Sequence, residues 1–435
     1  MANTKLNRTA GSTGNVQIWT WSGWVKRAAV PGTADAKGGL FATYTDGNQR
    51  LDFGIDANHR FFFKEKQSSS TNIDFTSNRL FEDPSAFYHF VLAVDTTDST
   101  AADRVKVYVN GERITSWLDS TPPNQNYNTL MNVSGRTYYI GTTDGSSNYW
   151  NGVMSHVHFC DGTALAPTVF GSTDTTTGEW KINTSPSFTP GTNGFTILKD
   201  GNTITDQSSN SNDFSLGGGT LTNTEDNPSN NFATLNPLDN PYVGQKPTLT
   251  NGNTTGAGTE TGFLAGASSI GVSSGKYYAE FKVTGGNTSF HVFGVLKSPV
   301  GDLGSTAPHD STRFYGVRGV GTKIQPGGGG GETASWTGTW TTNDIISLAL
   351  DCDNNRLYIA KNGQYADGAG AYNQAFTASP AYLTLASDEI YHLMGASIST
   401  GSGVSLTMQA NFGNGYFGTT AISSEGTNAS GIGKF

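Results

Sequence analysis

Short apolar runs and polar turns alternate along this chain. Within each run the side chains alternate with a period of two, the pattern of β-strands that bury one or both faces. The clearest case is Asn343–Gln364 (NDIISLALDCDNNRLYIAKNGQ), where the runs Ile345–Leu350 and Leu357–Ala360 flank the polar turn Asp351–Arg356. The second run feeds Asn362-Gly363. Asn-Gly is the strongest short hairpin signal, because both residues tolerate the positive φ that a tight turn demands. Upstream, Phe90–Asp95 and Arg104–Asn110 with Gly111 repeat the device. The repetition predicts two sandwiches of similar build.

Residues 1–170 predict strand after strand: Val16–Lys26, Gly39–Tyr44, Arg50–Ile55, Arg60–Lys64, Ile73–Phe75, Phe87–Val94, Val105–Val109, Tyr138–Gly141 and Gly152–Phe159. In the first of these, Ile18, Thr20, Ser22 and Trp24 share one face and Trp19, Trp21, Gly23 and Val25 the other. From 171 to 240 the alternation weakens around Trp180, Phe195, Ile197 and the turn-rich Asp206–Asp213, which predicts a structured connector. Residues 241–417 predict a second sandwich through Lys276–Val283, Phe290–Leu296, Phe314–Val317, the hairpin above, Tyr391–Ala396 and Val404–Phe412. Residues 418–435 are small and polar and predict a frayed tail. The run Gly327–Gly331 after Pro326 predicts a surface loop or a close backbone contact. No segment keeps a 3.6-residue period or a heptad, so the expected fold is all-β: two antiparallel β-sandwich (jelly-roll) domains joined by a short structured connector. A homo-oligomer such as a trimer would form through sandwich faces or the connector.

Composition narrows the function classes. The 435 residues include 56 glycines, 14% charged and 11% aromatic residues, which suits a turn-rich β protein and not a disordered chain. A net charge of −9 without a Lys/Arg cluster argues against nucleic acid and against polybasic attachment to anionic lipid. No apolar run approaches the roughly 18 residues of a spanning helix, so membrane insertion is not expected. No apolar secretion segment opens the chain, which predicts synthesis in a cytoplasm. Cys160 and Cys352 fall in different predicted domains and are expected to stay reduced.

Three strings in the first domain, WTWSGWVKR (Trp19–Arg27), YHFVLAV with VKVYVNG (Tyr88–Val94, Val105–Gly111) and NGVMSHV (Asn151–Val157), resemble laminin-G-like, concanavalin-A-like jelly rolls. LNRT (Leu6–Thr9), Asp206–Phe214 and NPSNNFATLNPL (Asn227–Leu238) are similar to segments of laminin-G-like bacteriophage virion proteins. In the second domain GKYYAEFKV (Gly275–Val283), Asp344–Asp353, LYIAKNG (Leu357–Gly363) and ANFG (Ala410–Gly413) resemble a SPRY-type sandwich, while residues 297–340 follow no pattern of it. The resemblance implies a virion surface protein, made in the bacterial host cytoplasm, whose partners are other virion proteins and host surface glycans. Laminin-G-like domains often hold one calcium at a loop rim, and Asp46, Asp95 and Asp144 are the contributors this implies.

Other chemistry has weaker support in the residues. Gly271–Gly275 matches G-x-S-x-G but precedes a strand, whereas a nucleophile elbow precedes a helix. Asp351–Arg356 opens like a calcium loop yet has Arg356 where the obligatory glycine belongs. His156 and His158 alternate along a strand, which would put both rings on one face but supplies only two metal ligands. Tyr149, Trp150, Trp336 and Trp340 lie where no strand pattern buries them, so they are the candidate ligand-binding rings: a flat apolar ring stacks on the C–H side of a sugar. The expected function is therefore non-enzymatic adhesion by a fibre, knob or head decoration. The alternatives are a purely structural virion connector and a glycan-degrading tail enzyme, whose two acids need not be close in sequence.

Overall fold

The computed structural model describes residues 3–28, 37–199, 203–241, 247–258, 263–285, 289, 291–301, 303, 311–326, 332–398, 406–423, 426 and 431–435; the glycine run Gly327–Gly331 lies outside them. The chain divides into two compact units, Met1–Asn231 and Phe232–Phe435. Both are built from antiparallel sheets, and among the described residues helical structure is confined to short 3-10 turns.

In the first unit an eight-stranded sheet runs in the order Trp117–Thr121, Ser70–Leu80, Arg60–Gln67, Gln49–Ile55, Gly38–Asp46, Thr137–Ile140, Lys5–Thr9, Ser215–Gly218. Facing it, a six-stranded sheet runs Phe195–Ile197, Gly152–Asp161, Ile18–Arg27, Tyr88–Asp95, Val105–Val109, Glu112–Arg113. The inward rows of the two sheets meet in one core of Trp19, Trp21, Phe41, Phe53, Phe63, Phe90 and Phe159, whose rings pack mostly edge-to-face.

Residues 171–231 do not form the expected connector. Phe195–Ile197 pairs with Gly152–Asp161, and Ser215–Gly218 pairs with Lys5–Thr9, so the segment completes both sheets of the first sandwich. Leu6–Thr9 and Asp206–Phe214, separate strings in the sequence, are brought together here. Leu6 pairs with Leu216 and the Arg8 guanidinium donates to Asn212 Oδ1. The Asp206 carboxylate accepts from the backbone N–H groups of Thr196, Ser208 and Asn212, which fixes the loop from within. Phe214 then inserts against Phe195, with ring centroids 4.7 Å apart. Those polar residues are demanded by the loop they build.

The second unit stacks a nine-stranded sheet on a six-stranded one. The nine-stranded sheet contains Leu406–Asn411, Lys276–Val283, Ile345–Asp351 and Arg356–Lys361 side by side, with Gln364–Ala366 and Tyr382–Thr384 both paired to Arg356–Lys361. Its inward residues Phe281, Leu348, Leu350, Leu357 and Ile359 form the core with Phe293 and Val295 of the facing sheet. Leu235 from the NPSNNFATLNPL string is fully buried in this core. The last two residues are docked and not frayed: Lys434 N–H donates to Gly413 O at 3.0 Å, and Phe435 meets Tyr278 edge-on at 4.9 Å.

Candidate functional site

The six-stranded sheet of the first unit carries an unusual outer face. Thr20, Ser22, Trp24, Lys26, His89 and His158 lie on it, and all are buried. The cover is the segment from about Thr163 onward, chiefly Phe170, Phe188 and the small hairpin Gly171–Thr173 with Trp180–Ile182. His89 is sandwiched between Trp24 (4.7 Å) and Trp180 (6.0 Å) in near-parallel stacks. Trp180 Nε1–H donates to His89 Nδ1 at 3.0 Å, so the neutral ring carries its proton on Nε2, which donates to Ser22 Oγ at 2.9 Å. Burial pushes the His89 pKa down to about 3. Lys26 pairs with Asp226 at 2.8 Å and donates to Asn231 Oδ1 at 2.8 Å, pinning the end of the cover.

His156 and His158 are neighbours as expected, their ring centroids 6.4 Å apart, but not by simple alternation. A bulge shifts the register between Ser155 and His158, and His156 adopts φ +50, so the alternation breaks there. His156 Nδ1 bonds Ser155 Oγ at 2.7 Å and His158 Nδ1 bonds the Thr196 hydroxyl at 3.0 Å.

The three carboxylates expected at a calcium rim do not converge. Asp46 and Asp144 stand near opposite ends of the strand Gly38–Asp46, since Gly39 N–H donates to Asn148 O beside the Asp144 loop. Nine residues of strand span about 30 Å. Asp95 belongs to the other sheet. Each carboxylate closes its own turn: Asp46 accepts from Asn48 N, Asp95 from Thr97 N and Oγ1, and Asp144 from the backbone of Ser146 and Ser147. Those bonds hold the Asp144 pKa below its ordinary value despite partial burial.

Two acids have strongly raised pKa values: burial pushes Asp52 up to about 6 and Glu65 up to about 7. Asp52 pairs across with Lys64, and Leu51 with Glu65. The alternation therefore sends Asp52 to the outer face and Glu65 into the core, where Glu65 accepts from Tyr127 OH at 3.0 Å and Leu130 N at 3.1 Å. Acids on opposite faces of one sheet cannot flank one glycosidic bond.

The candidate rings fare unequally. Tyr149 and Trp150 are half-buried, and the Trp150 ring lies over Gly38 and packs on the core. Trp336 and Trp340, expected at the surface, are instead only 5% and 2% exposed. Their loop folds inward, with Trp340 against Phe293 at 5.6 Å and Trp336 filling the space above Gly370, so neither offers a free face.

The exposed aromatic surface lies elsewhere, on the outside of the nine-stranded sheet. One cross-strand row reads Tyr278, Ala349, Tyr358, Tyr382. Phe376 leans onto Tyr358 (5.3 Å) and Tyr365 (5.2 Å), and Tyr358 meets Tyr382 at 5.5 Å. Phe376 is 54% exposed and Tyr382 38%, while Tyr358 and Tyr365 are half-buried supports. The Arg356 guanidinium stacks over Tyr382 at 4.4 Å. Ala349, small and half-exposed, leaves a slot one strand wide between Tyr278 and Tyr358. Alternation in Arg356–Lys361 already put Arg356 and Tyr358 on one face. Phe376 and Tyr382 had no such signal, because they arrive from later segments through tertiary pairing.

Comparison with known proteins bears mainly on the first unit. Residues 3–169 match the family model Laminin_G_3, the concanavalin A-like lectin/glucanases superfamily. No curated protein matches the chain. Among solved structures, the SPRY domain of human HERC1 aligns at 18% identity and TM-score 0.30, covering 38% of this chain and 91% of that one. The PSpry domain of TRIM65 aligns at 12% identity and TM-score 0.27, covering 41% and 91%. The native heptameric SAP-like pentraxin from Limulus polyphemus aligns at 17% identity and TM-score 0.27, covering 38% and 72%. Residues 3–169 thus form a concanavalin A-like, laminin-G-like domain inside a chain of antiparallel sandwiches.

Proposed function

We propose that this chain is a non-enzymatic adhesion protein that holds surface glycans against the aromatic face of its second unit. The observation that carries the reading is the cluster of Tyr358, Tyr365, Phe376 and Tyr382 with two rings substantially exposed. A monomeric protein ordinarily buries such rings or uses them in binding. Tyrosines add hydroxyls at the rim of an apolar surface, the combination that meets both the C–H and O–H sides of a sugar. The lectin-like match of residues 3–169 supports binding as the general role. The setting we propose is a virion surface, supported by the likeness of Leu6–Thr9, Asp206–Phe214 and Asn227–Leu238 to phage virion segments. On a particle, many copies would convert weak single contacts into firm attachment.

The test is a glycan array probed with the full chain and with Phe376→Ala and Tyr382→Ala. Each substitution should weaken capture about tenfold, the worth of one good ring contact. Unchanged capture by both variants would remove this face from the function, and absence of any capture would leave the structural-connector role. Gold-labelled antibody on purified particles checks the setting.

A further inference from the structure

We propose that the ligand of this aromatic face is an acidic polysaccharide, one bearing carboxylate or sulfate groups, with Arg356 and Lys323 as the groups that read its charge. The inference rests on the adhesion reading above and names its ligand class.

The face carries one cation, Arg356, and a second, Lys323, comes up at its edge strand from the core side. Arg356 lies over Tyr382 at 4.4 Å, and its Nη1 approaches the Tyr358 hydroxyl at 3.4 Å. Its cross-strand neighbour Asp351 accepts instead from Asn354 and lies 3.9 Å from Lys276. Lys323 reaches the same place from the facing sheet, its Nζ 3.5 Å from the Tyr382 carbonyl and 5.9 Å from the Trp336 ring. Among the carboxylates whose side chains are described, neither cation has one within ion-pair distance, although, after the Tyr358 hydroxyl and Tyr382, Asp351 opposite Arg356 still helps to raise its pKa. The two flank Tyr382, whose ring is more exposed than that of Tyr358 beside it. Burial lowers the Lys323 pKa, as expected of an amine partly desolvated without a counter-charge.

Unpaired cations beside exposed rings need a reason on a chain whose net charge is −9. That overall charge repels acidic polymers, so attraction must be local and short-ranged. An anionic sugar answers both features: its ring lies on Tyr382 or Phe376, and its carboxylate or sulfate takes the planar donor fork of Arg356. Lys323 adds a second, less directional charge. The half-exposed slot over Ala349 continues the surface along the row, so an extended polymer can follow it.

The experiment is affinity electrophoresis of the full chain in gels containing polygalacturonate, alginate, dextran sulfate, uncharged dextran or polyglutamate, repeated across salt concentrations. At least one acidic polysaccharide should retard the protein, with retardation falling as salt rises, and dextran should not. Arg356→Gln should weaken retardation about tenfold and Lys323→Gln less, since a bidentate charge-assisted pair outweighs a point charge. Tyr382→Ala should weaken it as well. Thermal melting of each variant separates lost binding from lost folding, because an Arg→Gln change at this half-exposed position should lower the melting temperature only slightly. Equal retardation by dextran, or salt-insensitive retardation, would overturn the acidic class while the adhesion reading survives. Retardation by polyglutamate that ignores Tyr382→Ala would assign the face to an acidic polypeptide and overturn it too. If none of the acidic polysaccharides retards the protein while the array still captures neutral glycans, the inference fails alone; if the array is also blank, both readings fail.

Discussion

The two Asn-Gly hairpins are near-copies at the backbone and opposites at the surface. Asn110 and Gly111 have φ +49 and +83, and Asn362 and Gly363 have φ +49 and +79. In each the Asn side chain accepts from a backbone N–H near the start of the partner strand, His89 N or Ile345 N, both at 2.8 Å. The registers then match pair for pair, Phe90 with Val109 as Ile346 with Lys361. The outward residues diverge. In the first unit His89 lies beneath Trp180, and Trp180 also packs on the turn at Gly111. In the second unit no described residue lies within 4 Å of where a side chain at Gly363 would begin, and the outward row ends in exposed Tyr382. One sandwich roofs its outer sheet face with its own chain, and the other leaves exposed rings on that face. The same hairpin is thus covered in one place and, in the other, the floor of the face proposed for binding. The segment downstream decides which: Phe170–Ile182 folds back over the first, and Phe376–Thr384 widens the second.

The strongest way to break the contrast is to detach the roof. Lys26 reaches from the covered face to Asp226, with side chains 2% and 5% exposed. Lys26→Ala leaves a buried carboxylate without that cation and should cost about 3–5 kcal/mol. The double change Lys26→Met with Asp226→Leu should recover most of it, because removing both charges removes the desolvation cost as well. Urea unfolding with tryptophan fluorescence measures both. A single variant as stable as the parent would mean the pair contributes nothing to holding the roof.

The second test sharpens the contrast with pH. His89 is held neutral with its pKa lowered to about 3, so the unfolded chain takes up a proton near its ordinary value of about 6.5 while the folded chain does not. The stability tied to His89 is therefore present above about pH 6.5 and is lost as pH falls toward 3. His158, with its pKa also lowered to about 3, acts in the same direction. Between pH 7 and about pH 4.5 the His89 share should be on the order of 2–3 kcal/mol. His89→Gln, which can still bond Trp180 and Ser22, should flatten the acid limb by that amount. The matching residue of the second hairpin is Asp344's neighbour Ile345, which cannot titrate. A histidine contribution to an acid limb there would come from His291 in the facing sheet, whose pKa burial lowers to about 4. An identical acid limb in parent and variant would show that the roof opens before His89 is protonated.

Much of this architecture is visible in the alternation of side chains, and the hidden parts share a cause. Strands of five or more residues with inward aromatics, such as Ile18–Arg27 and Arg60–Gln67, declare themselves because their period persists. The roof does not, because its strands are three residues long and its rings, Phe170, Trp180 and Phe188, sit among Ser and Thr. Trp336 and Trp340 look exposed because they lie outside any periodic run, yet a loop can bury a ring when glycines such as Gly370 clear the space. The aromatic face is half legible: Tyr358 follows from alternation, whereas Tyr382 joins it only through pairing with a strand from much later in the chain. The calcium trio fails for the same reason, since proximity of Asp46, Asp95 and Asp144 depends on which strand ends meet.

The finest test compares the two turn glycines directly. Gly111 and Gly363 share a left-handed φ, +83 and +79, so alanine at either should cost about 1 kcal/mol from backbone strain alone. At Gly363 that is the whole effect, because the space beyond is open. At Gly111 the new methyl would lie 2.4 Å from the Trp180 ring, so the indole must move. Trp180 is half-buried and can tilt, which limits the added cost to about 1–2 kcal/mol. The difference between the two variants in urea unfolding is thus a reading of the roof at a single atom. Adding Trp180→Ala to Gly111→Ala should erase that excess, since the obstacle has gone, while Trp180→Ala with Gly363→Ala should be additive. Equal costs at the two glycines would mean that the indole does not rest on the first turn, and the division between a roofed and an open hairpin would lose its most direct support.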